Sequence, residues 1–211
     1  MRMISKGAEP KSLTQHRAQA QSDYDNYAQK DELRIALVGE QKGLCCYCTG
    51  RIRADSVMMK IEHWQCQATH PNLQLGYSNL LGACLGGQGK SPDEQHCDTR
   101  KADRELKWNP AKAAHVIETR LRYLADGKVV SADADFDTQL NDVLGLNLSY
   151  LKSNRKAVLD SVLQWWRGAQ PVSSVKIQSQ IDRRTNHVAE YQPFSPVAVW
   201  FLRQKLMGAA G

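Results

Sequence analysis

The sequence predicts an α+β protein, mainly helical, built around a small zinc-stapled core. Three observations lead there. All six cysteines fall between Cys45 and Cys97. The residues before and after that stretch have the composition of ordinary helical protein. Inside it, two short apolar steps, Val57 to His63 and Leu80 to Cys84, have the length of strands rather than helices.

Bulk properties narrow the class. Of 211 residues, 42% are hydrophobic and 24% charged, which suits a soluble domain with its own core. No window approaches the roughly 18 apolar residues needed to cross a bilayer. The first ten residues, MRMISKGAEP, lack the apolar core of a secretion signal. A cytoplasmic protein with no membrane role is expected. In that reducing compartment, clustered cysteines argue for metal binding over disulfides. The net charge of +6 arises entirely after Tyr150, where nine Lys and Arg face three Asp and Glu. Such a basic region suits a polyanion, and equally a solvated face or a protein partner.

Taken in order, residues 1–11 form an irregular lead-in punctuated by Pro10. Leu13 to Gln41 reads as one long helix or two, with Leu33, Ala36 and Leu37 as the apolar stripe and Gly43 as the stop. Cys45 and Cys48 then form a C-x-x-C knuckle, a spacing shared by zinc sites and redox motifs. Cys46 is expected to point away and pack as a small hydrophobe. Residues 51–63 are expected to form a strand pair turning at Ala54-Asp55-Ser56, with Val57, Met59, Ile61 and His63 on one face. Alternation puts Glu62 and His63 on opposite faces.

Residues 64–77 read as a loop, and Asn79 precedes the apolar step that ends at Cys84. A second loop, 85–95, leads to His96-Cys97-Asp98-Thr99-Arg100-Lys101, which opens a helix with Asp98 and Lys101 on one face. Asn109-Pro110 signals a helix start, expected to run through Ile117, Leu121 and Leu124 to a C-cap at Gly127. Residues 128–138 suggest an extended piece and an acidic turn. Ser149 is expected to cap a helix ending at Gly168, with Leu151, Val158, Val162 and Trp165 on one face. Trp165-Trp166 suits a core more often than a base-stacking platform. Ser195-Pro196 opens a last amphipathic helix carrying Val197, Trp200, Phe201 and Leu206. Three units are expected: a helical segment 1–44, a zinc-bound core 45–108, and a helical region 109–211 that is basic from 151.

Cys45, Cys48, Cys84 and Cys97 give two ligand pairs for a closed structural zinc site. His96 could replace one of them, and Cys66 is left over. A Glu62-His63 dipeptide alone carries little, since acid–histidine pairs occur by chance.

The order of these features carries more. A cysteine pair, acid–His, Asn-Leu, Cys, then Cys-Asp-x-x-Lys resembles the HNH nucleases. GLCCYC, IEHW, NLLGAC and HCDTRK resemble the HNH endonucleases encoded beside an ATPase in Septu and related retron anti-phage systems. The likeness extends to Trp108-Asn109-Pro110, to Arg122-Tyr123 through Gly127, and to Leu146-Asn147-Leu148 with Leu151 and Arg155. It implies a ββα-metal core in which His63 is the general base. Glu62 and Asp98 would hold a catalytic Mg²⁺ or Mn²⁺, and Asn79 would orient the hairpin loop. Lys101 or Arg100 would hold the scissile phosphate. The substrate implied is invading phage DNA, with transfer RNA as the alternative. The partners implied are a PtuA-like ATPase and, in a retron, the reverse transcriptase with its RNA/DNA. A zinc-stabilised nucleic-acid-binding scaffold without catalysis is the non-enzymatic reading. Glu62 is one carbon longer than the usual Asp, Asp98 stands where Asn or His is common, and Cys66 stands where many relatives have proline.

Overall fold

The computed structural model describes residues 1–186 and 189–208 and shows an α+β chain, mainly helical, with two small antiparallel sheets. Helix α1 (Lys11–Arg17) follows Pro10, and α2 spans Lys30–Glu40. The stretch from Leu13 to Gln41 therefore holds two helices, with residues 18–29 between them non-helical. Asp23 and Asn26 separate them by taking each other's backbone amides, Asn26 N to Asp23 Oδ1 at 2.7 Å and Asp23 N to Asn26 Oδ1 at 3.0 Å. Short polar side chains that satisfy the local backbone in this way compete with helical hydrogen bonds. Leu13, Tyr27, Leu33 and Leu37 then bury against Leu75, Tyr77 and Leu80 as a small N-terminal cluster.

The expected strand pair over 51–63 does not form. Only β1 (Lys60–His63) is a strand, and its partner is β2 (Leu80–Ala83), with Glu62 opposite Leu81 and His63 opposite Leu80. Arg51 makes a single bridge to Leu44. Between them Asp55 closes a turn, its Oδ1 accepting from Val57 N at 2.9 Å. Val57 is consequently 68% exposed and does not share the buried face of Met59. The long hairpin loop 64–79 connects β1 to β2, and α3 (Cys97–Lys101) packs beside them.

Nor is 109–127 a helix. Asn109 Oδ1 takes the Ala111 amide at 2.7 Å and the His115 ring takes the Asn109 amide at 2.7 Å, closing a tight turn in place of a cap. Val116 is left-handed at φ 46° and splits the segment into two short 3-10 turns. Leu121 is buried in the core ahead of β3 (Arg122–Tyr123), which pairs with β4 (Val129–Val130). Gly127, at φ 82°, is the turn of this hairpin rather than a helix cap. A Cβ there would collide with the Lys152 carbonyl, so only glycine permits the approach.

The rest is helical. Asp133 caps α4 (Ala134–Thr138), accepting from Phe136 N at 3.2 Å, and the turn continues as a π-helical segment over Gln139–Val143. Helix α5 (Ser149–Gly168) buries Leu151, Arg155, Leu159 and Val162, and ends where the sequence predicts. Leu148, not Ser149, holds its N-cap position. Helix α6 (Ser174–Thr185), which the sequence pattern did not reveal, and α7 (Ser195–Gly208) complete the chain. Trp165 and Trp166 are packed against the core. The main core draws on Met1 and Ile4, on the cysteine-rich stretch, and on α5 to α7 together. Among the described residues, no helix is long and apolar enough to cross a membrane.

Candidate metal centre and adjoining acid–histidine site

The four cysteines separated by up to 52 positions converge. Cys45 Sγ lies 3.8 Å from Cys97 Sγ and Cys48 Sγ 3.7 Å from Cys84 Sγ, and all four sulfurs lie within 4.8 Å of one another. Thiolates at about 2.3 Å around a tetrahedral zinc stand about 3.8 Å apart, whereas a disulfide would need about 2.05 Å. The donor set and its spacing therefore fit a structural zinc. The knuckle forms because Cys45 N donates to Gly50 O at 2.8 Å and Thr49 N to Cys45 O at 3.1 Å, leaving both thiols on one side. Gly50 N adds a bond to Cys48 Sγ at 3.3 Å.

The remaining two cysteines are excluded from the cage. Burial, reinforced by neighbouring Cys45, pushes the Cys46 thiol well up, as expected of a packed side chain. Cys66 Sγ meets Thr69 Oγ1 at 3.1 Å inside the hairpin loop. His96 is adjacent to the cage but outside the four-sulfur set, its Nδ1 3.1 Å from Cys97 Sγ.

Beside this centre, β1 presents its residues to two sides. Lys60 and Glu62 face Tyr47 and α3. Tyr47 Oη donates to Glu62 Oε1 at 2.7 Å, and Lys101 Nζ lies 2.9 Å from the same oxygen. Lys60 Nζ lies 3.1 Å from Asp98 Oδ2. Burial first, and then the adjoining Asp98, push the Glu62 carboxyl well up, opposed by Lys101 and the Tyr47 hydroxyl. Asp98 keeps an outward edge, its side chain 19% exposed, while Glu62 is sealed. Asp98 thus fits a hard divalent cation. Glu62 has Oε1 taken by both Lys101 and Tyr47, so only its other oxygen, toward Asp98, is left for a cation.

His63 faces the hairpin loop. Its Nε2 is 2.9 Å from the Gln74 carbonyl oxygen. A carbonyl only accepts, so Nε2 carries the proton and Nδ1 keeps its lone pair. Burial, only partly offset by that carbonyl, lowers the imidazole pKa and keeps the ring neutral. Asn79 staples the loop that carries Gln74. Its Oδ1 accepts from Gln65 N at 2.8 Å, and its Nδ2 donates to Gln65 O at 2.9 Å and Leu73 O at 3.3 Å.

The two expected phosphate ligands are placed differently. Lys101 is buried, paired with Glu62 and donating to the His63 carbonyl at 3.2 Å, so its ammonium does not face solvent. Arg100 spends Nε on the Asp142 carbonyl and Nη1 on that of Pro92, beside the π-helical turn. Sequence reasoning also passed over Tyr47, Lys60, Gln74 and Tyr24. Lys60 was within reach, since it lies two positions before Glu62 on one strand face. Tyr24, whose ring meets His63, is distant in sequence and carries no motif.

No family model matches the chain. Among curated proteins it is similar to the Septu protein PtuB of Bacillus thuringiensis, with 34% identity over 61 residues. That match covers 29% of this chain and 24% of the length of the relative.

Proposed function

We propose that the chain is a metal-dependent endonuclease of HNH type that hydrolyses phosphodiester bonds in an anti-phage complex. The observation that carries the reading is the His63 imidazole, held at Nε2 by the Gln74 carbonyl, on the strand that bears Glu62 and near enough to Asp98 to feel its charge, beside the four-cysteine cluster. In that tautomer Nδ1 takes a proton from water as the oxygen attacks phosphorus. The resulting imidazolium keeps its Nε2–H on the carbonyl, so the ring does not rotate as it gains charge. Asn79 holds the loop that supplies this carbonyl. Mg²⁺ or Mn²⁺ held at Asp98 would supply positive charge to the leaving 3′-oxygen and the crowded phosphate. Lys60, part-exposed beside Asp98, is better placed than Lys101 or Arg100 to meet a phosphate.

The likeness to a Septu protein supports a setting in phage defence beside a PtuA-like ATPase. Phage DNA is the substrate assigned. Cleavage of transfer RNA, and partnership with a retron reverse transcriptase, belong to the same reading as outcomes of its test. The purified chain, with and without a PtuA-like ATPase, is incubated in Mg²⁺ with plasmid and with total transfer RNA. Cleavage that His63→Ala abolishes supports the nuclease, and the substrate cut decides between DNA and RNA. Nucleic-acid binding with no His63-dependent cleavage of either would leave the zinc-stabilised scaffold.

A further inference from the structure

We propose that Tyr24, on the segment between α1 and α2, is the positioning residue that sets the orientation of the His63 ring. The inference rests on the nuclease reading of His63, and it makes the N-terminal segment a wall of the site.

The two rings meet edge to face, with centroids 4.5 Å apart and planes at 88°. An aromatic edge packed this way resists rotation of the imidazole about its Cβ–Cγ bond. That rotation matters here. A half-turn exchanges Nδ1 with a carbon and Nε2 with another, which loses the Gln74 bond and turns the lone pair away from the reacting water. The carbonyl of Gln74 alone holds one atom of the ring, and Tyr24 fixes its plane.

Tyr24 is itself tied to the same anchor. Its amide donates to Gln74 Oε1 at 3.1 Å, while the carbonyl of Gln74 faces His63 Nε2 at 2.9 Å. One glutamine therefore sets the spacing between tyrosine and histidine. Lys30 Nζ stands 4.8 Å over the Tyr24 ring from the start of α2, adding a contact from the helix. The phenol, pushed up to about 12 chiefly by burial, stays neutral and makes no hydrogen bond to His63. The role is carried by the ring and not by the hydroxyl, so phenylalanine preserves it.

The full chain is compared as wild type, Tyr24→Phe and Tyr24→Ala, by cleavage kinetics and by ¹⁵N spectroscopy of the His63 ring. Tyr24→Ala is expected to lower kcat by about tenfold to about a hundredfold, the range for a misplaced catalytic group. KM stays within about twofold, because substrate contacts are untouched. Tyr24→Phe keeps kcat within about twofold of wild type. The ring signals show a single Nε2–H tautomer in wild type and Tyr24→Phe, and an averaged pair of tautomers in Tyr24→Ala. A wild-type kcat or an unchanged single tautomer in Tyr24→Ala overturns the proposal, as does a Phe variant as impaired as Ala. Tyr24→Leu, which keeps bulk without an aromatic edge, replaces Ala if that variant fails to fold. Should the wild type cleave neither DNA nor RNA, the nuclease reading falls. The tautomer measurement needs no activity, so it still decides the role of Tyr24.

Discussion

The ammonium of Lys101 lies 2.9 Å from Oε1 of Glu62, with the two side chains 1% and 2% exposed. Lys101 also reaches the carbonyls of His63 and Ala102, at 3.2 and 3.4 Å. It joins α3 to the end of β1, so it is a buried counter-ion of the site's framework. Removing one partner of such a pair strands a charge in the interior, whereas replacing both by apolar groups is close to neutral. Lys101→Met should cost about 3–5 kcal/mol of stability. The double variant Lys101→Met with Glu62→Leu should recover most of it. Urea unfolding of the singles and the double reads this directly, and additive losses would show that the pair is not coupled.

The cysteine cage predicts a metal stoichiometry. About one tightly held zinc per chain is expected, because four thiolates close a structural site. Cys48→Ser or Cys97→Ser should release it and unfold the surrounding core, since metal binding at such sites is folding free energy on the order of 10 kcal/mol. Cys46→Ala and Cys66→Ala should keep full zinc. Elemental analysis of the purified variants checks both halves. Zinc lost equally from all four would sink the assignment.

The contrast between legible and hidden parts of the chain has a physical basis. The four converging cysteines could be read from sequence because thiolate chemistry restricts which residues can hold a metal and at what spacing. Helices α2 and α5 could be read because one face of each is buried and the period survives, whereas α7 was legible only from Ser195-Pro196 and is not amphipathic as expected, since Ser195 to Val199 are all buried. Residues 109–127 misled because Asn109-Pro110 looks like a cap, yet Asn109 serves a turn and Ile117 and Leu121 bury from irregular backbone. Gly127 looked like a helix stop because a positive φ serves a hairpin equally well. Residues 51–59 alternate in polarity, but a strand needs a neighbour, and β1 takes β2 instead. The Tyr24–His63 contact and the burial of Lys101 were invisible for a different reason. Both depend on how separate segments meet, which no local pattern encodes.

Lys60 holds Asp98 in a part-exposed ion pair, with Nζ 3.1 Å from Oδ2. A divalent cation at Asp98 must compete with that ammonium. Exposed pairs of this kind contribute about 0.2–1 kcal/mol, so Lys60→Met should tighten Mn²⁺ binding by up to about fivefold. Electron paramagnetic resonance of free Mn²⁺ measures this without any substrate. If Lys60 also meets the scissile phosphate, the same variant cleaves more slowly despite binding metal better. Weaker Mn²⁺ binding would instead make Lys60 a support of the site.

Asn79 makes three hydrogen bonds to the backbone of the hairpin loop and lies buried just before β2. Asn79→Ala leaves the Gln65 amide and carbonyl unpaired, which should cost about 1–3 kcal/mol. Asn79→Asp keeps the acceptor for Gln65 N but sets a carboxylate against the Gln65 carbonyl, so it should be no better. Because the loop carries Gln74, both variants should loosen His63 and lower activity while zinc content is unchanged. Loss of stability with full activity would limit Asn79 to folding.

His63 predicts the pH dependence of stability. Burial lowers its pKa below the ordinary 6.5, so the unfolded chain binds the proton first as the solution is acidified. Stability rises with pH wherever the unfolded state holds more protons. The contribution of the neutral ring is therefore complete above about pH 6.5 and is lost as pH falls through the lowered folded value. His63→Gln, which does not titrate, should flatten the fall in unfolding free energy below about pH 6.5. Thiolate protonation at the zinc centre weakens both proteins alike, so the difference between them isolates His63. Parallel stability curves for wild type and His63→Gln would show that folding leaves the imidazole pKa unshifted, and would remove burial as the reason for the neutral ring.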